Sequence, residues 1–146
     1  MSARTILIIE DEMHMRRFLG TLFEMAGFEP LLARNGEEGI KAARTRKPGI
    51  ILLDMMMPRQ GGLVTYRQLK TEPDLAAIPV VVLSGVPRDT ALHALPMLSA
   101  IHGFPLSEPE AYLEKPPKPD ELVPLIERIM LERDAARAGN NTLPAP

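Results

Sequence analysis

Four short apolar runs in this chain each end on a polar group that can do chemistry. Thr5-Ile6-Leu7-Ile8-Ile9 leads into Glu10-Asp11-Glu12, and Gly49-Ile50-Ile51-Leu52-Leu53 leads into Asp54. Ile78-Pro79-Val80-Val81-Val82-Leu83 leads into Ser84, and Tyr112-Leu113-Glu114 into Lys115-Pro116. A run with no polar alternation is what a strand buried on both faces requires, and such strands belong to parallel sheets covered by helices. Parallel strands place all four ends on one sheet edge, the edge where open α/β folds hold their ligands. Two acids, a lone aspartate, a hydroxyl and a lysine are thereby brought to one pocket.

The segments between the runs support this layout. Met13 to Ala26 carries Met15, Phe18, Leu19, Leu22 and Phe23 at helical spacing, and Gly27 stands where a helix ends. Phe28 to Ala33 is a second, weaker strand, and Pro30 predicts an edge position for it. Asn35 is placed to cap a helix over Glu37 to Arg46, with Ile40, Ala42 and Ala43 inward. Leu63 to Thr71 forms a short helix after a loop holding Pro58, Gly61 and Gly62. Arg88 to Ala100 is helical in pattern, but Pro96 lies inside it. Interior proline costs ~3 kcal/mol in a helix, which predicts a break or kink there. His102 to Pro109 reads as loop, Ala111 to Glu114 as the last strand, and Asp120 to Arg137 as a long helix. Its apolar face is Leu122, Leu125, Ile126, Ile129 and Met130, and Pro124 is awkward near its start. The expected fold is a doubly wound five-stranded parallel sheet of flavodoxin-like order 2-1-3-4-5, with helices on both faces. Residues 1–137 form the domain and 138–146 a flexible tail.

Composition removes several classes. The chain has 146 residues, one ordinary domain, with 45% apolar residues to build a core. A net charge of −2 exerts no pull toward nucleic acid or an anionic membrane. There is no cysteine, so disulfides and thiolate metal sites are out. No apolar stretch reaches the ~20 residues that span a bilayer. A cytoplasmic protein is expected, with no direct contact to nucleic acid or membrane.

Several carboxylates in one crevice repel each other, and a bound cation resolves the conflict. Oxygen donors with no His or Cys beside them suit a hard ion such as Mg²⁺. Asp11 and Asp54 are the expected direct ligands, Glu10 a ligand through water, and the Met56 backbone carbonyl a further oxygen. A cation beside Asp54 favours a phosphoryl group there, with the carboxylate as nucleophile. Ser84 can hydrogen-bond one phosphoryl oxygen and Lys115 can pair with another. Each feature alone has a plainer reading: a solvated acidic turn with Asp11 as a helix cap, an ordinary loop serine, a strand-exit lysine. Their agreement in order, type and position favours the shared pocket.

These residues resemble the receiver domains of bacterial two-component response regulators, of the single-domain, CheY-like kind. Ile6 to Glu12 is similar to the family's acidic motif, and Ile51 to Pro58 to its phosphoacceptor motif. Ser84-Gly85 occupies its hydroxyl position, Lys115-Pro116 its lysine position and Tyr112 its aromatic switch position. The resemblance covers residues 4 to about 135. It implies that Asp54 is the phosphoacceptor, supplied with Mg²⁺ by a sensor histidine kinase or a phosphotransfer protein. It also implies that Ser84 and Tyr112 form a switch that reports to a downstream protein, Tyr112 turning inward as Ser84 moves to the phosphate. Such a chain is a signalling protein and not a turnover enzyme. Gly61, Pro117 and Ser84 depart from the commoner acidic, aromatic and threonine residues of the family.

The interval from Ser84 to Lys115 exceeds the ~25 residues that one helix, two loops and a strand require. A remodelled fourth helix or an extra loop before the last strand is expected. Two other functions are weighed against a stand-alone phosphorylated receiver. One is a receiver fold that binds partners regardless of phosphorylation. The other is a metal-dependent phosphatase, disfavoured because Met56 stands where such enzymes commonly carry a second acid.

Overall fold

A computed structural model describes residues 4–55, 61–103 and 107–141. Strands and helices alternate: β1 (Thr5–Ile9), α1 (Met13–Met25), β2 (Glu29–Ala33), α2 (Gly36–Arg46), β3 (Ile50–Asp54), α3 (Gly62–Thr71), β4 (Val80–Ser84), α4 (Arg88–His102), β5 (Ala111–Glu114) and α5 (Pro119–Asn141). The strands form one parallel sheet of order β2-β1-β3-β4-β5.

The apolar runs lack alternation because both sheet faces are core. Successive strand residues point to opposite faces. Leu7, Ile9, Ile51, Leu53, Val80 and Val82 pack with Ile40 and Ala43 of α2 and Tyr66 and Leu69 of α3. Ile6, Ile8, Ile50, Leu52, Val81 and Leu83 pack with Leu19 and Phe23 of α1 and Leu122, Ile126 and Ile129 of α5. A polar residue anywhere inside β1, β3 or β4 would therefore be buried, which at these positions costs a few kcal/mol unless it finds a partner. β2 lies at the edge, as Pro30 predicts.

Local signals set the helix ends. Glu12 caps α1, its carboxylate accepting from the Met15 N–H at 2.6 Å, so the cap is Glu12 and not Asp11. The Asn35 side chain accepts from the Glu38 N–H at 2.8 Å and starts α2 as expected. Gly62 opens α3 against the preceding chain: a Cβ there would collide with Met55 Cα and the Asp54 carbonyl oxygen. Phe18 departs from expectation. It is 44% exposed, because the buried stripe of α1 runs through Leu19 and Phe23 and Phe18 falls at its margin.

The expected break at Pro96 is absent, and α4 runs continuously through it. Proline deletes its own N–H, and Pro96 is exposed, where water can serve the freed carbonyl. The surplus residues fall instead between α4 and β5. Gly103 leaves the helix at a φ of 73°, and Ser107 to Glu110 then run up to the strand. This stretch is tied down. The Tyr66 hydroxyl donates to the Ser107 carbonyl at 2.6 Å, and the Glu110 carboxylate accepts from the Val80 N–H at 2.7 Å and pairs with Lys70 at 3.2 Å. Pro124 sits inside α5 on its exposed side, and the helix continues past Arg137 to Asn141. The remainder of the expected tail lies outside the described residues. Among the described residues no helix is long and apolar enough to cross a membrane.

Candidate phosphoacceptor site

Sheet register brings the four strand ends to one level. Asp54 ends β3 opposite Leu83, so Ser84 stands one step beyond it. Ser84 in turn faces Glu114, and the Lys115 N–H donates to the Ser84 carbonyl at 2.8 Å, which carries the ladder one residue past β5. On the other side, the Glu10 N–H donates to the Ala33 carbonyl at 3.0 Å and extends β1 toward β2.

The side chains then converge. Glu10 and Asp54 are buried at 1% and 4% exposure, while Asp11 is exposed. Each of the three offers a carboxylate oxygen within 4.8 Å of the others. Lys115 reaches both buried acids, with Nζ at 2.6 Å from Glu10 Oε1 and 3.4 Å from Asp54 Oδ2. The second Glu10 oxygen accepts from the Glu12 N–H at 3.1 Å. Burial pushes the Glu10 carboxyl up to about 7, with Lys115 opposing and Asp54 reinforcing the rise. Burial also penalises the Lys115 ammonium, but Glu10 and Asp54 outweigh that and hold it above its ordinary range. One ammonium among three carboxylates leaves a surplus of negative charge on hard oxygen donors, a set that fits a divalent cation such as Mg²⁺. Met56 lies outside the described residues, as does the rest of the 56–60 loop.

Ser84 is fully buried, and its Oγ accepts from the Val86 N–H at 3.2 Å. Tyr112 is 9% exposed and donates its hydroxyl to the Val86 carbonyl at 2.7 Å. The ring therefore already lies inside, and the two residues meet through one backbone unit. The Lys115–Pro116 peptide bond is cis. A cavity of about 370 Å³ opens beside Lys115, bounded by Arg88, Tyr112, Glu114, Lys118 and Glu121.

Sequence reasoning missed two participants. Val86 acts through its backbone, so its side chain carries no signal. Arg16 donates from Nη1 to the Glu10 carbonyl at 2.8 Å and to the Asp11 carbonyl at 3.3 Å. Its place one turn inside α1 is the sole hint available in sequence. His14 and His93 are exposed and join no acidic cluster among the described residues.

Residues 6–127 match the model of the response regulator receiver domain family. The chain is 32% identical over 130 residues to the phosphate regulon transcriptional regulatory protein PhoB of Pseudomonas aeruginosa, covering 89% of this chain and 53% of that protein. It is 34% identical over 85 residues to Protein PilH of the same organism, covering 58% of this chain and 70% of PilH. The crystal structure of the N-terminal domain of a response regulator receiver protein from Methanoculleus marisnigri superposes with a TM-score of 0.64 at 31% identity, covering 88% of this chain and 97% of that one. The chain spans about half the length of the first curated relatives it matches.

Proposed function

Because the chain belongs to the response regulator receiver domain family, we propose that it accepts a phosphoryl group on Asp54 in a Mg²⁺-dependent reaction and signals through protein–protein contacts. The donor is a sensor histidine kinase or a phosphotransfer protein, met in the cytoplasm. The observation that carries this reading is the convergence of Glu10, Asp11 and Asp54 within 4.8 Å, with Lys115 on the two buried acids.

Each residue has a task. An Asp54 oxygen attacks phosphorus, the bond from phosphorus to the donor imidazole breaks, and the electron pair returns to the imidazole. Lys115 is already within 3.4 Å of Asp54 and is placed to follow charge onto the phosphoryl oxygens. Glu10, Asp11 and Asp54 would hold Mg²⁺, joined by the Met56 carbonyl. Bound there, the ion supplies neutralisation of charge on the transferring group. Ser84 donates its hydroxyl to a phosphoryl oxygen.

The switch assigned to Ser84 and Tyr112 works through Val86. A Ser84 side chain drawn to the phosphate gives up the Val86 N–H, and the same residue holds the Tyr112 hydroxyl. The effect is a bias on a two-state element, felt where α4 meets β5. A second reading, a partner-binding module indifferent to phosphorylation, is favoured by one observation: Tyr112 is buried with its hydroxyl bonded to the Val86 carbonyl, as a ring fixed in one position would be.

Beryllofluoride, a phosphoryl mimic, tests the pocket without chemistry. Binding should require Mg²⁺, vanish in Asp54→Asn and shift the amide signals of Ser84, Val86 and Tyr112. Binding that leaves the Val86 and Tyr112 signals unmoved would favour the second reading. No binding in the wild-type chain would remove the first.

A further inference from the structure

The Asp11 carboxylate presents a problem of positioning. It is exposed and makes no hydrogen bond or ion pair among the described residues. Glu10 is fixed at both oxygens, by Lys115 and by the Glu12 N–H. Asp54 is fixed by the end of β3. Three carboxylate oxygens within 4.8 Å repel one another, and Asp11 is the member free to swing toward water. Among the described residues its place is set through its backbone, in the turn between β1 and α1.

The Glu10 and Glu12 carboxylates accept amide N–H groups within and just after that turn, and one further side chain grips its carbonyls from α1. Arg16 Nη1 donates to two successive carbonyls, Glu10 at 2.8 Å and Asp11 at 3.3 Å. These are charge-assisted hydrogen bonds, stronger than neutral ones. The neighbouring Arg17 is exposed and makes no such bond among the described residues. Charge is therefore shared by both arginines, whereas of the two only Arg16 holds the turn carbonyls among the described residues.

We infer that Arg16 is a positioning residue of the acidic pocket: by holding the carbonyls of Glu10 and Asp11 it keeps the Asp11 carboxylate where a divalent cation needs it. The inference rests on the proposed Mg²⁺ site. Groups that orient metal ligands from behind cost 10–100-fold in metal affinity when removed. Here the loss is entropic, because an unheld turn must be ordered each time the ion binds.

Calorimetric titration of the metal-free, full chain with Mg²⁺ alone tests this. Arg16→Met should weaken Mg²⁺ binding by about tenfold or more. Arg17→Met removes the same charge one residue along and should stay within about twofold of wild type, since exposed charge is screened. Arg16→Lys, which keeps a cation and a donor without the planar fork, should recover part of the affinity. Metal-free melting temperatures of all four proteins report what the lost bonds cost the fold itself, and comparing affinities well below every transition separates positioning from folding. If wild type binds Mg²⁺ and Arg16→Met binds it equally well, the inference is wrong and the pocket reading stands. Equal losses in Arg16→Met and Arg17→Met would also overturn it, in favour of bulk charge. Should Arg16→Met not fold, undiminished affinity in Arg16→Lys that survives raised salt decides against it. A wild-type chain that does not bind Mg²⁺ overturns the pocket reading and the inference together.

Discussion

The two halves of the sheet edge are built differently. On the β1–β3 side, Glu10 and Asp11 directly follow β1 and Asp54 ends β3, joined by Lys115 within hydrogen-bond reach of Glu10. On the β4–β5 side, α4 carries a proline and the approach to β5 is long, secured by Tyr66, Lys70 and Glu110 rather than by a tight turn. The first half concentrates uncompensated charge. The second has its polar groups already paired: Ser84 with Val86, Tyr112 with Val86, and Glu114 with the Arg88 N–H that starts α4, at 3.0 Å. The difference teaches where binding energy enters and where it can be spent. On the proposed function, a phosphoryl group and its cation would gain most at the unbalanced side, and a response would have to break existing bonds on the balanced side.

Substitutions can separate the halves. Lys115→Met should have the largest effect, lowering the rate of phosphoryl uptake from a small donor by about 10²–10³-fold, the cost of losing one preorganised charge-stabilising group. A quenched time course followed by mass would show it, and uptake at the wild-type rate would mean that Lys115 is only a strand-exit residue. Glu110→Ala strikes the other half. It strips the Val80 N–H of its partner, leaves Lys70 with the Ile78 carbonyl, and should cost about 1–3 kcal/mol in urea unfolding. Phosphoryl uptake should be unchanged, and a matching loss of uptake would merge the two halves into one cooperative unit.

Tyr66 offers a pH test of the same anchor. Burial pushes its hydroxyl from 10.0 up to about 12, with the Ser107 side chain opposing and the nearby Glu110 and Glu108 carboxylates adding to the rise. A group whose folded pKa is raised contributes stability that is complete below the unfolded value and is lost above it. Wild type should therefore lose stability relative to Tyr66→Phe as pH rises from about 10 through about 12, by urea midpoints across that range. A constant difference would mean that the hydroxyl is not held as described. Tyr112→Phe should have the smallest effect, about 1 kcal/mol or less for one hydrogen bond to a backbone carbonyl. Phosphoryl uptake should not change, while the Val86 amide response to beryllofluoride should weaken.

Legibility in the sequence follows the same division. The strands and the pocket could be read because both sheet faces are buried, so any polar residue at a strand end stands out. Asn35 and Gly27 gave correct boundaries, since capping and helix termination depend on neighbouring residues alone. Phe18 misled because periodicity marks a stripe but not its margin. Of the break or kink expected at Pro96, the break does not occur, because a local helix cost says nothing of what surrounds the helix and this position faces water. The long approach to β5 was foreseen from spacing, but not its anchors, which pair residues far apart in sequence: Tyr66 with Ser107 and Lys70 with Glu110. Arg16 and Val86 stayed hidden because their partners, or they themselves, are backbone atoms.

The central claim is that Asp54 receives a phosphoryl group with the help of a cation held by its acidic neighbours. Intact-mass measurement after incubation with acetyl phosphate tests it most directly, with Mg²⁺, with chelator, and in Asp54→Asn. A single phosphoryl adduct should form in the wild-type chain with Mg²⁺ only. An adduct that persists in Asp54→Asn, or no adduct with any small donor or kinase, would contradict it.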